Sequence, residues 1–336
     1  MKVLFDVGYP LAWAEGGFSI QILQTEQELS KLGVEVQWVD RRSSEVPKAD
    51  IIHYFGAPSS VIMYRAAKSM GLRSVVSILP PHGFVRPSVR DYMLRGMHKT
   101  LRTMLGPVRT FGRMGMGYED ADAFILLNEA EKNYVTFAYG WPAEHCHVIP
   151  NGVDDAFFDA SIAPEPVDGL FYPSYICPRK NQVEIAQLAK SRKIKVVFAG
   201  RAQGEYPAYF EAFKRELDDQ HAVWLGEIRD RRRMAALYRG AQGTFLASRY
   251  ENQGLILLES LACGKPVMGP DLPALRTFFR DCIQYCPPVG SAGFGPALEA
   301  FERYCHQGGK QRMDVPRWGE IAQRVQRVYE QVLQVS

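Results

Sequence analysis

The chain has 336 residues, 46% hydrophobic and 23% charged, a globular balance that excludes a disordered tail protein. At roughly 150 residues per domain this length leads to about two domains, each able to bury its own core. Forty Lys and Arg against 37 Asp and Glu leave +3, which argues against wholesale nucleic-acid binding. The six cysteines form no CxxC pair and no zinc spacing with histidine, so they read as free thiols. The apolar start before Asp6 is too short for a signal peptide, and no run of roughly 18 apolar residues exists for a membrane span. The expectation is a soluble cytoplasmic protein.

In chain order, Lys2–Val7 reads as a strand, and a Gly-rich turn at Gly16-Gly17 leads into a helix over Phe18–Lys31. Gly33 closes that helix. Strands follow at Val34–Val39, Ile51–Phe55, Ser74–Leu79, Ala123–Leu127 and His147–Ile149, with a helical pattern at Ser59–Met70. Prolines 164 and 166 mark a linker. Beyond it, strands are expected at Leu170–Tyr172, Lys195–Ala199, Ala222–Leu225, Gly243–Ala247 and Pro266–Met268. Helices are expected at Asn181–Arg192, Tyr206–Asp219, Asp230–Gly240 and Leu255–Cys263. In the closing segment Trp318, Ile321, Val325, Val328 and Val332 recur at helical spacing. Strand–helix alternation of this kind calls for α/β architecture, with two doubly wound parallel sheets. The expected division is 1–163, 164–315 and a C-terminal helix at 316–336 that is free to cross back to the first domain. Ligands of such sheets bind at the carboxyl ends of the strands, so two facing domains imply a cleft between them.

The sharpest motif runs from Ser248 to Glu259 and on through Gly264-Lys265-Pro266-Val267. A strand ends, a loop carries Glu251 and Asn252, and a helix starts near Gly254. The first amides of a helix lack intrahelical partners and suit an anion such as a diphosphate. Glu259 falls on the second turn among apolar neighbours, where a carboxylate needs hydrogen-bond donors, and ribose hydroxyls would serve. A buried helix whose Glu is capped or salt-bridged is the competing reading of the same residues.

The string Ala-Ser-x-x-Glu251-x-x-Gly254-Leu255, with Glu259 and Gly-x-Pro-Val after it, resembles the donor-site signature of the retaining glycosyltransferases of family GT4, which have the two-domain GT-B architecture. Gly16-Gly17, Asp50-Ile-Ile-His53, Pro150-Asn151-Gly152-Val153-Asp154, Leu225-Gly226-Glu227-Ile228 and Trp318-Gly-Glu-Ile321 are similar to family patterns in the same order. The resemblance implies that Glu251 contacts hydroxyls of the transferred sugar and Glu259 the ribose. It places Gly254 and Leu255 on the diphosphate, with Asn252 beside them, and Glu227 and Ile228 at the nucleobase. It further implies donor contacts for Gly16 and Gly17, whose left-handed turn and close approach to a ligand compete with a plain turn. The family's basic pair falls near Arg179 and Lys180, but Tyr175 stands where an Arg is usual; Arg179 is the candidate replacement. His82, in Pro-His-Gly after a strand, is implied near the donor sugar. His53 reads instead as a satisfied core histidine.

The implied activity is retaining sugar transfer from a nucleotide-diphosphate sugar to an acceptor hydroxyl, saccharide, lipid-linked or small. No metal and no cofactor beyond that co-substrate are implied. An epimerase, a sugar phosphorylase, or a weakly active nucleotide-sugar-binding scaffold would share the fold. A dehydrogenase is disfavoured because the first loop lacks GxGxxG, while Gly290-x-x-Gly293-x-Gly295 has the spacing reversed and is expected to follow no strand. Asp120-Ala-Asp122 reads as a helix C-terminus rather than a metal site. The stretch 86–113 carries seven basic residues against Asp91 alone, with Met93, Met97, Leu101 and Met104 near helical spacing. It reads equally as a surface helix, a lid, or a helix lying on the anionic inner membrane surface.

Overall fold

A computed structural model of the chain describes residues 1–11, 16–43, 47–56, 61–79 and 120–334, with isolated positions between 89 and 104. It divides into one unit of Met1–Gly152 with Trp318–Ser336, and a second of Val153–Arg317.

In the first unit β1 (Lys2–Val7), β2 (Glu35–Trp38), β3 (Ile51–Phe55), β4 (Arg73–Ser77), β5 (Ala123–Leu126) and β6 (Cys146–Val148) pair in parallel, in the order β2-β1-β3-β4-β5-β6. Around them lie α1 (Gly17–Lys31), α2 (Val61–Ser69) and α3 (Glu129–Tyr139). Alternate residues of β1 serve opposite faces: Val3 and Phe5 pack with Ile22 and Leu29 of α1, while Leu4 packs with Ile52, Tyr54 and Tyr64. The chain's last helix, Trp318–Gln334, belongs to this unit, and its apolar stripe joins the Val3–Phe5 face. His53 lies buried there, with Nδ1 2.5 Å from the Tyr329 hydroxyl and Nε2 2.8 Å from Ser77 Oγ. Burial pulls its imidazole pKa down to about 3, so the ring is neutral, as a core histidine should be.

The second unit holds β7 (Leu170–Pro173), β8 (Val196–Ala199), β9 (Ala222–Trp224), β10 (Gly243–Phe245), β11 (Val267–Pro270) and β12 (Gln284–Cys286). Its helices are α4 (Gln182–Arg192), α5 (Pro207–Arg215), α6 (Arg231–Gly240), α7 (Leu255–Ala262), α8 (Pro273–Phe279) and α9 (Phe294–His306), and the closing helix of the chain is α10. The parallel order β12-β11-β10-β7-β8-β9 shows that the chain builds outward from β7 to β9 and then returns to the other side of β7. The topological switch point therefore lies between β7 and β10.

Several expectations change. The division falls at Gly152/Val153, not after residue 163, because Val153 bridges to Arg317 and Phe157 is fully buried against Tyr238 of α6. The proline-marked segment is held inside the second unit, where Glu165 N–H donates to the Ala236 carbonyl at 3.0 Å and Ile162 and Val167 are buried. The returning segment starts at Trp318 rather than at 316. A strand, β12, does precede Gly290; three residues are too few to show a period. The α3, α8 and α9 helices also lie beyond those expected. Asp122 braces the sheet, accepting from Ser74 N–H at 2.7 Å and pairing with Arg73 at 3.2 Å; the residues that would make it a helix end lie outside those described. All six cysteines are free thiols.

Candidate active site

The loops leaving β7 and β10 meet at the switch point, where an open α/β sheet presents its ligand crevice. They are tied together by side chains to which none of the sequence motifs assigns a role. Asn181, with φ of 56°, donates from Nδ2 to the Ala247 carbonyl at 2.7 Å and accepts from Arg249 Nε at 3.0 Å. Tyr172 donates to the Lys180 carbonyl at 2.7 Å, and Arg249 N–H to the Arg179 carbonyl at 2.9 Å. Gln182, fully buried, donates to the Tyr175 carbonyl at 2.6 Å and to Ser174 Oγ at 2.9 Å. Polar residues directly after a basic pair, where a helix starts, were the available sign. Their partners lie on another strand, which spacing cannot show.

This latch brings three expected residues together. Glu251 Oε1 accepts from Lys180 Nζ at 2.5 Å and from Arg179 Nη1 at 2.9 Å. The Lys180 and Glu251 side chains are only 9% and 12% exposed, so this pair is nearly shut off from solvent. Burial alone would raise the Glu251 pKa, but the Lys180 and Arg179 charges outweigh it and hold the carboxyl below its usual range. Burial pulls the Lys180 pKa down against the pull of Glu251. Arg179 also donates to the Tyr250 carbonyl at 3.2 Å and lies over the Tyr250 ring at 5.2 Å. Two cations against one carboxylate leave net positive charge at this corner.

Beside it α7 opens at Gly254, whose φ of 77° is left-handed. A Cβ there would meet Leu246 Cδ2 at 3.3 Å and Leu257 Cδ1 at 3.4 Å, so both conformation and space favour glycine. Leu257 N–H already donates to the Gly254 carbonyl at 2.9 Å, which leaves Leu255 and Ile256 as the open amides of the turn. Asn252 is half-buried in the same loop. Glu259 is 6% exposed and already has two protein donors: Arg231 Nη2 at 2.7 Å and the Tyr238 hydroxyl at 2.8 Å. Its demand for partners is thus met in part by α6, which the sequence reading missed; Arg231 and Tyr238 share a helix face, but only packing shows that α7 lies against it.

Of the base-side pair, Glu227 is exposed and pairs with Arg229 at 3.1 Å, while Ile228 is half-buried against the core that includes Phe157 and Leu257. Tyr175 does not leave its position without a cation. The loop after β8 brings Arg201 over the Tyr175 ring at 5.4 Å, fixed by Ile176 N–H donating to the Arg201 carbonyl at 2.9 Å. Gly200 permits that approach, since a Cβ there would lie 2.1 Å from the Ser174 carbonyl oxygen.

Gly16 and Gly17 belong to the first unit. Gly16, at φ 169°, is extended rather than left-handed, and nothing stands within 4 Å of its Cβ direction, so neither reason for glycine applies to it. Its N–H donates to Ser19 Oγ at 2.8 Å, starting α1. His82 and the seven basic side chains of 86–113 lie outside the described residues.

The family description Glycosyl transferases group 1 matches residues 156–284, and Glycosyltransferase Family 4 matches residues 37–157. The two matches together run over residues 37–284, in the order glycosyltransferase family 4 and then glycosyl transferases group 1. A D-inositol 3-phosphate glycosyltransferase of Xylanimonas cellulosilytica is 26% identical over 48% of this chain and 44% of its own length. The matched part thus spans less than half of that relative. Sucrose-phosphate synthase of Thermosynechococcus elongatus has a TM-score of 0.67 at 16% identity, over 100% of this chain and 99% of the other. Anabaena HepE, solved in complex with UDP, has a TM-score of 0.63 at 16% identity, over 99% and 98%. These likenesses show the fold, which is GT-B.

Proposed function

We propose that this glycosyltransferase-family protein moves a sugar from a nucleoside diphosphate sugar to an acceptor hydroxyl with retention, without a metal. One observation carries the reading. A carboxylate and two cations, Glu251, Lys180 and Arg179, are assembled at the switch point beside the open amides of α7. A diphosphate would dock on those amides and draw Lys180, Arg179 and Arg201 to its oxygens, releasing Glu251 to accept from sugar hydroxyls. As the bond from the anomeric carbon to the phosphate oxygen breaks, charge builds on the leaving diphosphate and the fixed cations stabilise it. The acceptor oxygen bonds to the anomeric carbon on the same face, and its proton passes to the departing phosphate oxygen. Glu259 would hold the ribose, and the loop at Glu227 and Ile228 the base.

The test is nucleotide release from UDP-, GDP-, ADP- and TDP-sugars with polyol, polyol-phosphate and glycolipid acceptors, with the anomeric configuration of product read by NMR. Lys180→Ala is expected to lower turnover by about 100- to 1,000-fold, as for loss of one preorganised oxyanion donor. Unchanged turnover in both Lys180→Ala and Glu251→Ala removes the site. Tight nucleotide binding with no turnover on any acceptor identifies a binding scaffold instead.

A second observation favours contact with an anionic membrane surface. Val89, Met93, Met97 and Met104 are 50% to 76% exposed in a stretch whose charged residues are almost all basic. Liposome sedimentation should show more binding to anionic than to neutral vesicles; equal binding refutes it. No helix among the described residues is long and apolar enough to cross a membrane.

A further inference from the structure

Three arginines open α6, and they do different things. Arg232 pairs outward with Asp159 at 3.2 Å and Arg233 with Glu165 at 2.9 Å, with side chains 64% and 49% exposed. Arg231 turns inward. Its guanidinium lies over the Phe157 ring at 4.5 Å and its Nη2 donates to Glu259 Oε1 at 2.7 Å. Seven residues on, and so on the same face of the helix, the Tyr238 hydroxyl donates to the other oxygen, Oε2, at 2.8 Å. Tyr238 in turn packs edge-on against the same Phe157 ring, with centroids 5.6 Å apart.

The carboxylate is therefore gripped at both oxygens by two side chains that share one aromatic support. An ionised carboxylate offers about four acceptor positions, and this grip uses one on each oxygen. Among the described residues no further side chain donates to Glu259, which leaves one position on each oxygen. Two acceptors a carboxylate's width apart match a vicinal diol, which donates two hydrogen bonds. A free Glu side chain would have to lose rotamer freedom to adopt that pose, and this one has already lost it.

We infer that Arg231 and Tyr238 are positioning residues that fix Glu259 as a two-acceptor receptor for the 2′,3′-diol of a nucleoside diphosphate, and so make the site selective for ribonucleotides over deoxynucleotides. The inference rests on the donor-site reading above and adds the residues that set sugar selectivity within the nucleotide. Nothing in the role requires Arg231 or Tyr238 to touch the ligand. They act through the carboxylate.

The experiment compares binding of ADP, GDP and UDP with their 2′,3′-dideoxy forms by calorimetry, in the full chain and in Arg231→Gln, Tyr238→Phe and Lys180→Met. For the ribonucleotide that binds best, the unaltered protein should prefer the ribo form by roughly 10- to 100-fold, the worth of charge-assisted hydrogen bonds to a carboxylate. Arg231→Gln and Tyr238→Phe should each bring that ratio down to a few-fold, with dideoxynucleotide affinity little changed. Lys180→Met should weaken both forms alike and leave the ratio intact. A general loss of packing would weaken both forms together, so the ratio separates positioning from structural damage; Tyr238→Phe, which keeps the buried ring, serves if Arg231→Gln does not fold. A ratio near one in the unaltered protein, or an unaltered ratio in both variants, overturns the inference while leaving the donor site standing. Failure of every nucleotide to bind the unaltered protein would instead sink the donor-site reading itself.

Discussion

Removing Lys180 tests whether the pair at the switch point is a true buried couple. Its ammonium lies 2.5 Å from Glu251, with the side chains 9% and 12% exposed, and loss of one partner from such a pair generally costs about 3–5 kcal/mol. Arg179 remains, 2.9 Å from the same oxygen and 32% exposed, and offsets about 1–2 kcal/mol of that, as a charge-assisted hydrogen bond should. Lys180→Met should therefore destabilise the second unit by about 1–4 kcal/mol. Glu251→Gln should cost a similar amount by leaving two cations side by side, and the double substitution should fall short of the sum by about 1–3 kcal/mol. Because two units need not unfold together, the assay is urea titration with hydrogen exchange read on peptides from 153–317. The acid limb gives a second readout. The Glu251 pKa is lowered from 4.5, so its contribution is complete above that value and lost as pH falls through the folded-state value. Lys180→Met should move that loss to higher pH. A coupling below about 0.5 kcal/mol would refute the reasoning, since independent sites add to within that amount.

Further outcomes follow from particular contacts. His53 titrates at about 3 in the fold against 6.5 free, so the unfolded chain takes up the proton first and stability should fall as pH drops from 6.5 toward 3. The full loss approaches about 5 kcal/mol, and His53→Gln should flatten the slope in thermal midpoints measured across pH 4–7. Gly254→Ala should cost about 1–2 kcal/mol for its left-handed backbone and weaken nucleoside diphosphate binding by calorimetry, because the two open amides turn with it. Arg201→Ala should weaken diphosphate affinity and flatten its salt dependence with little change in stability; an unchanged titration curve would show that the cation over Tyr175 plays no part.

The architecture was legible because a parallel sheet imposes short continuous apolar runs as strands and helices with one apolar face, the first read as runs and the second as a period in the sequence. The buried strip of α10 and the satisfied core position of His53 could be read in that way. The site was legible in part: a strand end, a glycine and two carboxylates eight positions apart stand within one short stretch of chain. What the sequence by itself determined is thus whatever is local, namely the elements, the open turn at Gly254 and the residue types around it.

Only the tertiary structure decided which of those residues face one another. Lys180 and Glu251 are 71 positions apart and Arg231 and Glu259 are 28 apart, and in both cases a pairing across strands or helices, not spacing, brings them together. The same holds for the boundary at Val153: prolines 164 and 166 suggested a linker further on, yet Phe157 and Ile162 are claimed by the second core. Hydrogen bonds and ion pairs form between whatever the packing of apolar faces delivers to one place, and that packing is settled by the whole chain at once.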